Sequence, residues 1–380
     1  MKKTHLLKTG FCLMACASLS LGSACGGAKT SVLNAQPVHL VADAVWEYMQ
    51  SPDDLAITEL QAKLGYTRAD RLDMGKPVEI AFSDDLAKDD SILSAFIRVS
   101  ENSNMSNGVS YSIDPKVNKI RVYNLKTGTR YYYELVFNRT NQKVCLAGNF
   151  TTAESPRFMA VDGASNVRDI GGWNSTLGGK IKQGVLYRGS EIDGKKNTGI
   201  DGFCLTETGI ETMLSVMRIR SDFDLRNPSS LGINPNSAGI LGEEVQRTFL
   251  PSGYYEQILA QPETLKTVFT AFADPDAYPV YLHCTHGVDR AGTIALVLEA
   301  LLGVDKSDLI RDYELSNFFY PDDKVDRYYD RNGGDILTLI SMLESDYEGA
   351  TLADKTADML QKAGVTETQI STIRSIFIEK

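Results

Sequence analysis

The segment "VYLHCTHGVDRAGTIALVLEALLGV" (280–304) constrains the fold of this chain more than any other stretch. Residues 280–282 are an apolar, β-prone run and predict a short buried strand. Residues 291–303 are almost continuously apolar and predict a buried helix, and residues 285–290 between them predict a turn. A strand, a tight loop and a buried helix in this order are typical of an α/β domain.

The loop in this segment carries a pattern suited to binding an anion. Successive backbone N–H groups ahead of a helix, with Gly287 and Gly292 permitting unusual dihedral angles, form a nest for a dianionic phosphate. Cys284 lies at the base of this nest, and the partial positive charge there, together with Arg290, favours its thiolate form. The sequence therefore predicts a nucleophilic thiol beneath a bound phosphate.

Arg290 follows Cys284 by six positions, a spacing that lets its guanidinium fold back over the loop. The planar guanidinium can then hold two phosphoryl oxygens, and this contact strengthens as charge spreads in the transition state. The resulting H-C-x5-R pattern resembles the signature of cysteine-dependent protein tyrosine and dual-specificity phosphatases. Residues 284–290 are called the phosphate loop below.

More of the chain resembles the bacterial tyrosine phosphatase family that has an aspartate inside the phosphate loop. The matching segments are "NVRDIGGWNSTLGGKIKQGVLYRGSEIDG" (166–194), "DFDLRNPSS" (222–230), "LHCTHGVDRAG" (282–292) and "DYELSNFFY" (312–320). The resemblance spans about residues 157–380. It implies an α/β cysteine-phosphatase domain, placed at 156–380, and a metal-independent phosphomonoester hydrolase that works through a cysteinyl-phosphate intermediate and needs no cofactor.

The resemblance also implies roles for individual residues. Cys284 is the nucleophile, His283 supports it, and Asp289 is the general acid. The residues expected to bind phosphate are Thr285, His286, Gly287, Val288, Asp289 and Arg290. Asp224, at the end of a predicted strand, competes with Asp289 for the role of acid, and a purely structural role for Asp224 is also open.

Arg168 and Asp169, in "NVRDIGG", are expected to pair with each other and shape the floor of the pocket. Many members of the family read C-x-x-G-K-D-R-T, whereas this chain has Val288 in place of the lysine and Ala291 in place of the threonine. Loss of the lysine removes a cation that would favour polyphosphorylated lipids.

Several alternatives stay open at this point. They are a phosphoinositide or inositol phosphate phosphatase, an inactive phosphate-binding module, and a redox or disulfide role for Cys284. Phosphotyrosine, phosphoserine and small phosphate esters are all possible substrates, so the expected partner is a phosphorylated protein or a small phosphate ester.

Charge excludes one class of partner. The chain has 39 Lys and Arg against 49 Asp and Glu, a formal net charge of −10, and nucleic-acid binding needs clustered cations that neutralise phosphates. The four histidines are scattered without the spacing of a metal site, so the expected metal is none.

The first residues have the pattern of a bacterial export signal. Lysines at positions 2, 3 and 8 precede an apolar stretch and small residues that end at Cys25. We interpret residues 1–25 as a signal peptide and Cys25 as a lipidation site, which would make the protein a membrane-anchored lipoprotein of the bacterial envelope, with secretion without lipid as the alternative. Whether Cys145 and Cys204 pair stays open.

Residues 75–155 predict short strands with a two-residue period, separated by clusters of Asp, Asn, Gly and Ser. The predicted strands cover 78–82, 92–100, 119–124, 129–137 and 144–152. The segment "NLKTGTRYYYELVF" resembles fibronectin type III and related immunoglobulin-like β-sandwiches. The sequence thus predicts a multidomain chain, with a linker or lead-in at 26–74, an all-β sandwich at 75–155 acting as a spacer or carbohydrate-binding module, and the α/β domain after it.

Overall fold

The computed structural model describes residues 30–32, 36–50, 71–114, 116–154, 156–194, 203–319 and 335–379. The predicted signal peptide and Cys25 lie outside these ranges. The chain divides into two compact units, the first formed by residues 1–38, 77–122 and 128–153, and the second by residues 39–76, 123–127 and 154–380.

The strands in the described ranges are β1 (Thr30–Val32), β2 (Val78–Ala81), β3 (Ile92–Ser100), β4 (Val109–Ile113), β5 (Lys119–Val122), β6 (Arg130–Arg139), β7 (Lys143–Thr151), β8 (Arg157–Phe158), β9 (Arg168–Asp169), β10 (Lys180–Ile181), β11 (Leu186–Gly189), β12 (Ser221–Asp224), β13 (Gln246–Phe249), β14 (Val280–His283) and β15 (Ile378–Glu379). The α-helices there are α1 (Asp43–Gln50), α2 (Asp84–Ala87), α3 (Glu207–Glu211), α4 (Pro228–Leu231), α5 (Pro262–Phe272), α6 (Asp289–Leu301), α7 (Lys306–Glu314), α8 (Ile336–Asp346), α9 (Leu352–Lys362) and α10 (Glu367–Phe377).

The first unit is rich in β-structure. Its larger sheet has the order β1–β7–β6–β3–β4, and β2 pairs with β5 in a separate antiparallel ribbon. The five predicted strands are confirmed within two residues at each end. In the tyrosine-rich strand β6, Tyr131, Tyr133, Leu135 and Phe137 on one face are buried, and so are Glu134 and Val136 on the other. The tyrosine stripe is therefore core.

The second unit contains a six-stranded sheet in the order β13–β12–β14–β11–β9–β8. Its first four strands are parallel, and β9 and β8 continue the sheet in antiparallel fashion. In register, His283 at the end of β14 lies between Asp224 of β12 and Gly189 of β11. The carboxyl ends of parallel strands form the usual ligand-binding edge of an α/β sheet.

Helix α6 is the centre of the second unit. Every residue from Ala291 to Leu301 is buried, as expected of a helix that is apolar on all sides. It packs against α7, α9, β11 and β14. The predicted strand, loop and helix of the segment 280–304 are confirmed, and the rigid packing of α6 fixes the position of the loop that precedes it.

Residues 39–50 and 71–74, which the sequence places in a linker, pack within the second unit, and so do residues 75 and 76 from the start of the predicted sandwich. Val45 and Tyr48 of α1 are buried in a cluster that includes Leu315 and Phe318. The side chain of Asp73 also accepts a hydrogen bond from the backbone N–H of Asn166 at 2.8 Å. An apolar face on α1 thus makes this segment part of the α/β unit.

Cys204 and Cys284 are free thiols, so Cys204 does not pair with Cys145. No helix in the described ranges is both long and apolar enough to cross a bilayer.

Candidate active site

Cys284 lies directly after β14 and has only 2% of its surface exposed. Helix α6 begins five residues later, at Asp289. The loop between them is therefore short and is held at both ends by buried elements.

The carbonyl groups of residues 284–287 each contact a hydrogen-bonding group of a residue outside the phosphate loop. The Cys284 carbonyl lies 3.1 Å from Nδ1 of His283, and the Thr285 carbonyl accepts a hydrogen bond from the Glu191 N–H at 3.0 Å. Asn166 Nδ2 donates to the carbonyls of His286 and Gly287, and the Gly287 carbonyl also accepts from Arg188 Nη2 at 2.9 Å.

In a trans peptide, the N–H of one residue points away from the preceding carbonyl. Four outward carbonyls, those of residues 284–287, therefore turn the N–H groups of residues 285–288 to the opposite side. Such a row of N–H groups at the start of a helix binds an anion. The N–H groups of residues 285–288 therefore share one side of the loop, and the phosphate site stays a prediction.

Gly287 is required by the shape of this loop. Its φ is +72°, in the left-handed region. A Cβ atom there would lie 2.3 Å from the backbone carbon and oxygen of Gly189. A side chain at position 287 would therefore clash with the end of β11.

Arg290 folds back over the loop, as its spacing from Cys284 predicted. Its Nη2 donates to Oγ1 of Thr285 at 3.2 Å. The guanidinium is only half-buried and can contact an anion held by the loop.

The side chains of Val288 and Ala291 are fully buried in the apolar core around α6. Val288 can therefore contribute to phosphate binding only through its backbone N–H. His286 is half-buried, and its ring centroid lies 6.3 Å from those of Phe203 and Phe319. These two phenylalanines form an aromatic wall beside the loop.

The predicted pairing of Arg168 with Asp169 is wrong. The two residues are adjacent on β9, so their side chains point to opposite faces of the sheet. Arg168 contacts Asp312, with Nε 3.0 Å from Oδ1. Asp169 instead accepts from Nη1 of Arg157 at 2.6 Å and from the backbone N–H groups of Gly171 and Gly184.

Arg168 nevertheless shapes the floor of the site, through contacts that the sequence did not reveal. It donates to Oδ1 of Asn166 at 2.6 Å, and Asn166 holds two carbonyls of the phosphate loop. Arg188 bridges Asp312, at 2.9 Å, to the Gly287 carbonyl. Both arginines are fully buried, so the two cations and Asp312 form a rigid support for the loop.

Asp224 is surrounded by arginines at the end of β12. Its carboxylate accepts from Nε and Nη2 of Arg226 at 2.8 and 2.7 Å, and from Nη2 of Arg247 at 2.7 Å. Burial alone would raise its pKa, but His283, Arg226 and Arg247 hold the pKa of Asp224 well below its usual range. A carboxylate this strongly ionised has no proton to give, which favours a structural role.

His283 is fully buried between two carboxylates. Its Nε2 lies 2.9 Å from Oδ1 of Asp222 and 3.8 Å from Oδ2 of Asp224. Burial alone would lower its pKa, but Asp224 and Asp222 raise the pKa of His283 to about 9. The imidazolium form can donate from Nδ1 to the Cys284 carbonyl while Nε2 faces the acids.

This ion pairing predicts a pH dependence of stability. A histidine whose pKa rises from 6.5 to about 9 on folding stabilises the fold fully below pH 6.5, and this contribution is lost as the pH rises through 9. We expect the free energy of unfolding to fall by the order of 3 kcal/mol across that window. Urea denaturation of the wild type and of His283→Gln measures it, since glutamine cannot titrate. Equal pH slopes for the two proteins would contradict the prediction.

Asp289 is the first residue of α6 and is half-buried. Its Oδ1 accepts a hydrogen bond from Oη of Tyr255 at 2.6 Å. Asp289 thus lies inside the phosphate loop next to Arg290, with its carboxyl group held by Tyr255.

Four residues of the site were not predicted from the sequence: Asn166, Arg188, Arg247 and Tyr255. Asn166 and Arg188 lie in the segment 166–194 that carries the family resemblance, so that segment contained a signal for them. Tyr255 and Arg247 lie outside every segment singled out.

No curated protein matches the chain. One solved structure that it resembles is the core catalytic domain of the PP-IP phosphatase SIW14 from S. cerevisiae in complex with citrate, with 13% sequence identity and a TM-score of 0.26 over 38% of this chain and 78% of that one. A TM-score this low does not establish a shared fold.

The sequence profile of the tyrosine phosphatase family matches residues 159–379, which is more than half of the chain. The match includes Cys284, Asp289 and Arg290, and it ends one residue before the chain does. The chain therefore belongs to the tyrosine phosphatase family.

Proposed function

We propose that the second unit hydrolyses phosphate monoesters of the phosphotyrosine type, with Cys284 as nucleophile. The observation that carries this proposal is the phosphate loop itself, in which four carbonyls are bound outside, the opposite N–H groups face an anion site above Cys284, and Arg290 folds back over it. Family membership makes the protein a metal-independent phosphatase.

The reaction has two steps in this geometry. In the first, the thiolate of Cys284 attacks phosphorus, the bond from phosphorus to the leaving oxygen breaks, and Asp289 protonates that oxygen. In the second, Asp289 takes a proton from water, the resulting hydroxide attacks phosphorus, and the sulfur–phosphorus bond breaks to release phosphate and the thiolate. Arg290 and the loop N–H groups stabilise the charge on the equatorial oxygens in both steps.

The wall beside the loop supports an aromatic leaving group. Phe203 and Phe319 lie with ring centroids 5.5 Å apart next to His286, and aromatic rings pack well edge-to-face. Val288 replaces the lysine of many relatives and is buried, so no lysine at that position meets a second phosphate. These features favour a phosphorylated tyrosine over an inositol phosphate.

A substrate panel tests the proposal. We expect phosphotyrosine peptides to be hydrolysed with a kcat/KM roughly tenfold or more above that of phosphoserine peptides, phosphoinositides and inositol phosphates. Activity should persist in EDTA and fall with vanadate, which mimics the pentacoordinate transition state. A preference for inositol phosphates would favour the phosphoinositide alternative, and the absence of turnover on every substrate would favour an inactive binding module.

We further propose that the first unit is a fibronectin type III-like sandwich that acts as a spacer or binds carbohydrate. The ribbon β2–β5 buries Val78, Ile80, Ile120 and Val122, and the ring of Phe82 packs edge-on against Phe137 of β6 at 5.1 Å between centroids. Binding of the full chain to a glycan array distinguishes the two roles, because a spacer gives no signal.

A further inference from the structure

Tyr255 is attached to the first turn of α6 at two points. Its backbone N–H donates to Oγ1 of Thr293 at 2.7 Å, and its Oη donates to Oδ1 of Asp289 at 2.6 Å. Thr293 in turn donates to the carbonyl of Asp289 at 2.8 Å. The three residues form a closed set of hydrogen bonds around the carboxyl group that the proposed reaction uses.

A second tyrosine holds the first. Oη of Tyr313, from α7, lies 2.8 Å from Oη of Tyr255, and the two rings meet edge-on with centroids 6.2 Å apart. The ring of Tyr313 packs against Gly292, where a Cβ atom would lie 3.1 Å from it. Because both tyrosines are almost fully buried, the position of the Tyr255 hydroxyl is fixed from two sides.

The backbone of Tyr255 is strained. Its φ is +52°, in the left-handed region that bulky side chains rarely adopt. Such strain persists only where the surrounding structure over-determines it, and it is concentrated at functional sites. Here the strained conformation places the N–H against Thr293 and the side chain against Asp289 at the same time.

The direction of the hydrogen bonds follows from the chemistry of the groups. Oη of Tyr255 donates to Oδ1 of Asp289, and because a phenol has only one proton to donate, Tyr313 is the donor to Tyr255. Burial, Tyr313 and Asp289 all raise the pKa of Tyr255, so this phenol keeps its proton across the working pH range.

We propose that Tyr255 is a positioning residue for the general acid: its hydroxyl holds the carboxyl group of Asp289 in the orientation that delivers a proton to the leaving oxygen. The inference rests on the proposed function. It adds that the hydrogen bond strengthens as Asp289 gives up its proton and becomes charged, because hydrogen bonds to ionised acceptors are the stronger ones.

The test compares two substrates in Tyr255→Phe. We expect kcat/KM to fall roughly 10- to 100-fold on O-phosphoserine and by less than about threefold on p-nitrophenyl phosphate, whose leaving group departs without a proton. Unfolded protein lowers kcat/KM on both substrates by the same factor. The ratio of the two kcat/KM values in one preparation therefore stays informative if the variant is less stable. An unchanged ratio, or an equal loss on both substrates, would overturn the proposal.

Tyr254→Phe is the matched control. The ring of Tyr254 contacts that of Tyr255 edge-on, with centroids 5.4 Å apart. The substitution therefore removes a neighbouring phenol that takes no part in the hydrogen bonds from Tyr313 to Tyr255 and from Tyr255 to Asp289. We expect the wild-type ratio from this variant. The same shift in the ratio as in Tyr255→Phe would show that the effect is not specific to the bond with Asp289.

A double substitution separates this inference from the proposed function. In an Asp289→Asn background, Tyr255→Phe should not change the ratio further, because the group that it positions is already lost. An additional change there would contradict the inference. If Cys284→Ser stayed active, the proposed function would fail first. If wild-type turnover and the Asp289→Asn effect were as expected and only Tyr255→Phe left the ratio unchanged, the Tyr255 inference alone would fail.

Discussion

Replacing Cys284 by serine is expected to lower kcat by about 10⁴-fold or more. A serine hydroxyl is not ionised near neutral pH, so the first covalent step stops. The fold should survive, because the two side chains are similar in size and the loop is held by Asn166, Arg188 and the packing of α6.

Three measurements establish that result. Thermal unfolding reports the fold, vanadate binding reports the intact anion site, and turnover of p-nitrophenyl phosphate reports chemistry. Cys204→Ser is the matched control, since Cys204 is an exposed free thiol, and it should keep wild-type activity. Retained turnover in Cys284→Ser would remove the cysteinyl-phosphate mechanism.

Asp289→Asn is expected to depress turnover of alkyl phosphates such as O-phosphoserine by roughly 10²- to 10⁴-fold, the range of general acid–base catalysis. An alkoxide must be protonated as it leaves, whereas an activated aryl oxide departs without help. The loss on p-nitrophenyl phosphate should therefore be much smaller, and the basic limb of the pH profile should flatten. Steady-state kinetics on both substrates measure the difference.

Asp224→Asn is the comparison that decides between the two candidate acids. Removing this charge takes from Arg226 and Arg247 one of the two carboxylates that they share, the other being Asp193, and breaking a buried ion pair costs about 3–5 kcal/mol of folding stability. We expect lower stability or a higher KM without leaving-group dependence. If Asp224→Asn showed that dependence and Asp289→Asn did not, the assignment of the acid would be reversed.

The sequence predicted five strands of the first unit but missed its two edge strands in the larger sheet, β1 and β4. The segment "VSYSI" (109–113) alternates apolar and polar residues, yet it is an edge strand whose residues are half-buried or exposed. Edge strands in native sheets are short and less apolar, which limits pairing with other chains, so their sequence pattern is weak. The sandwich prediction for residues 75–155 stays a prediction.

The predicted pairing of Arg168 with Asp169 was also wrong. Neighbours in sequence suggested an ion pair, but adjacent strand residues face opposite ways, and each side chain found a distant partner: Asp312 for Arg168 and Arg157 for Asp169. Buried charges take whichever opposite charge the packing brings near them.

By itself, the sequence determined the phosphate loop. The strand end, the loop and the first turn of the helix bring together seven consecutive residues that include Cys284, Gly287, Asp289 and Arg290. Local backbone geometry therefore largely determines how these residues are arranged. Only the tertiary structure decided how that arrangement is held and which acid is available. Tyr255, Asn166, Arg188 and Asp312, which contact the loop directly or support those that do, lie 22 or more positions from it in the chain. Contacts between such distant side chains depend on how the helices and the sheet pack, which no local pattern encodes.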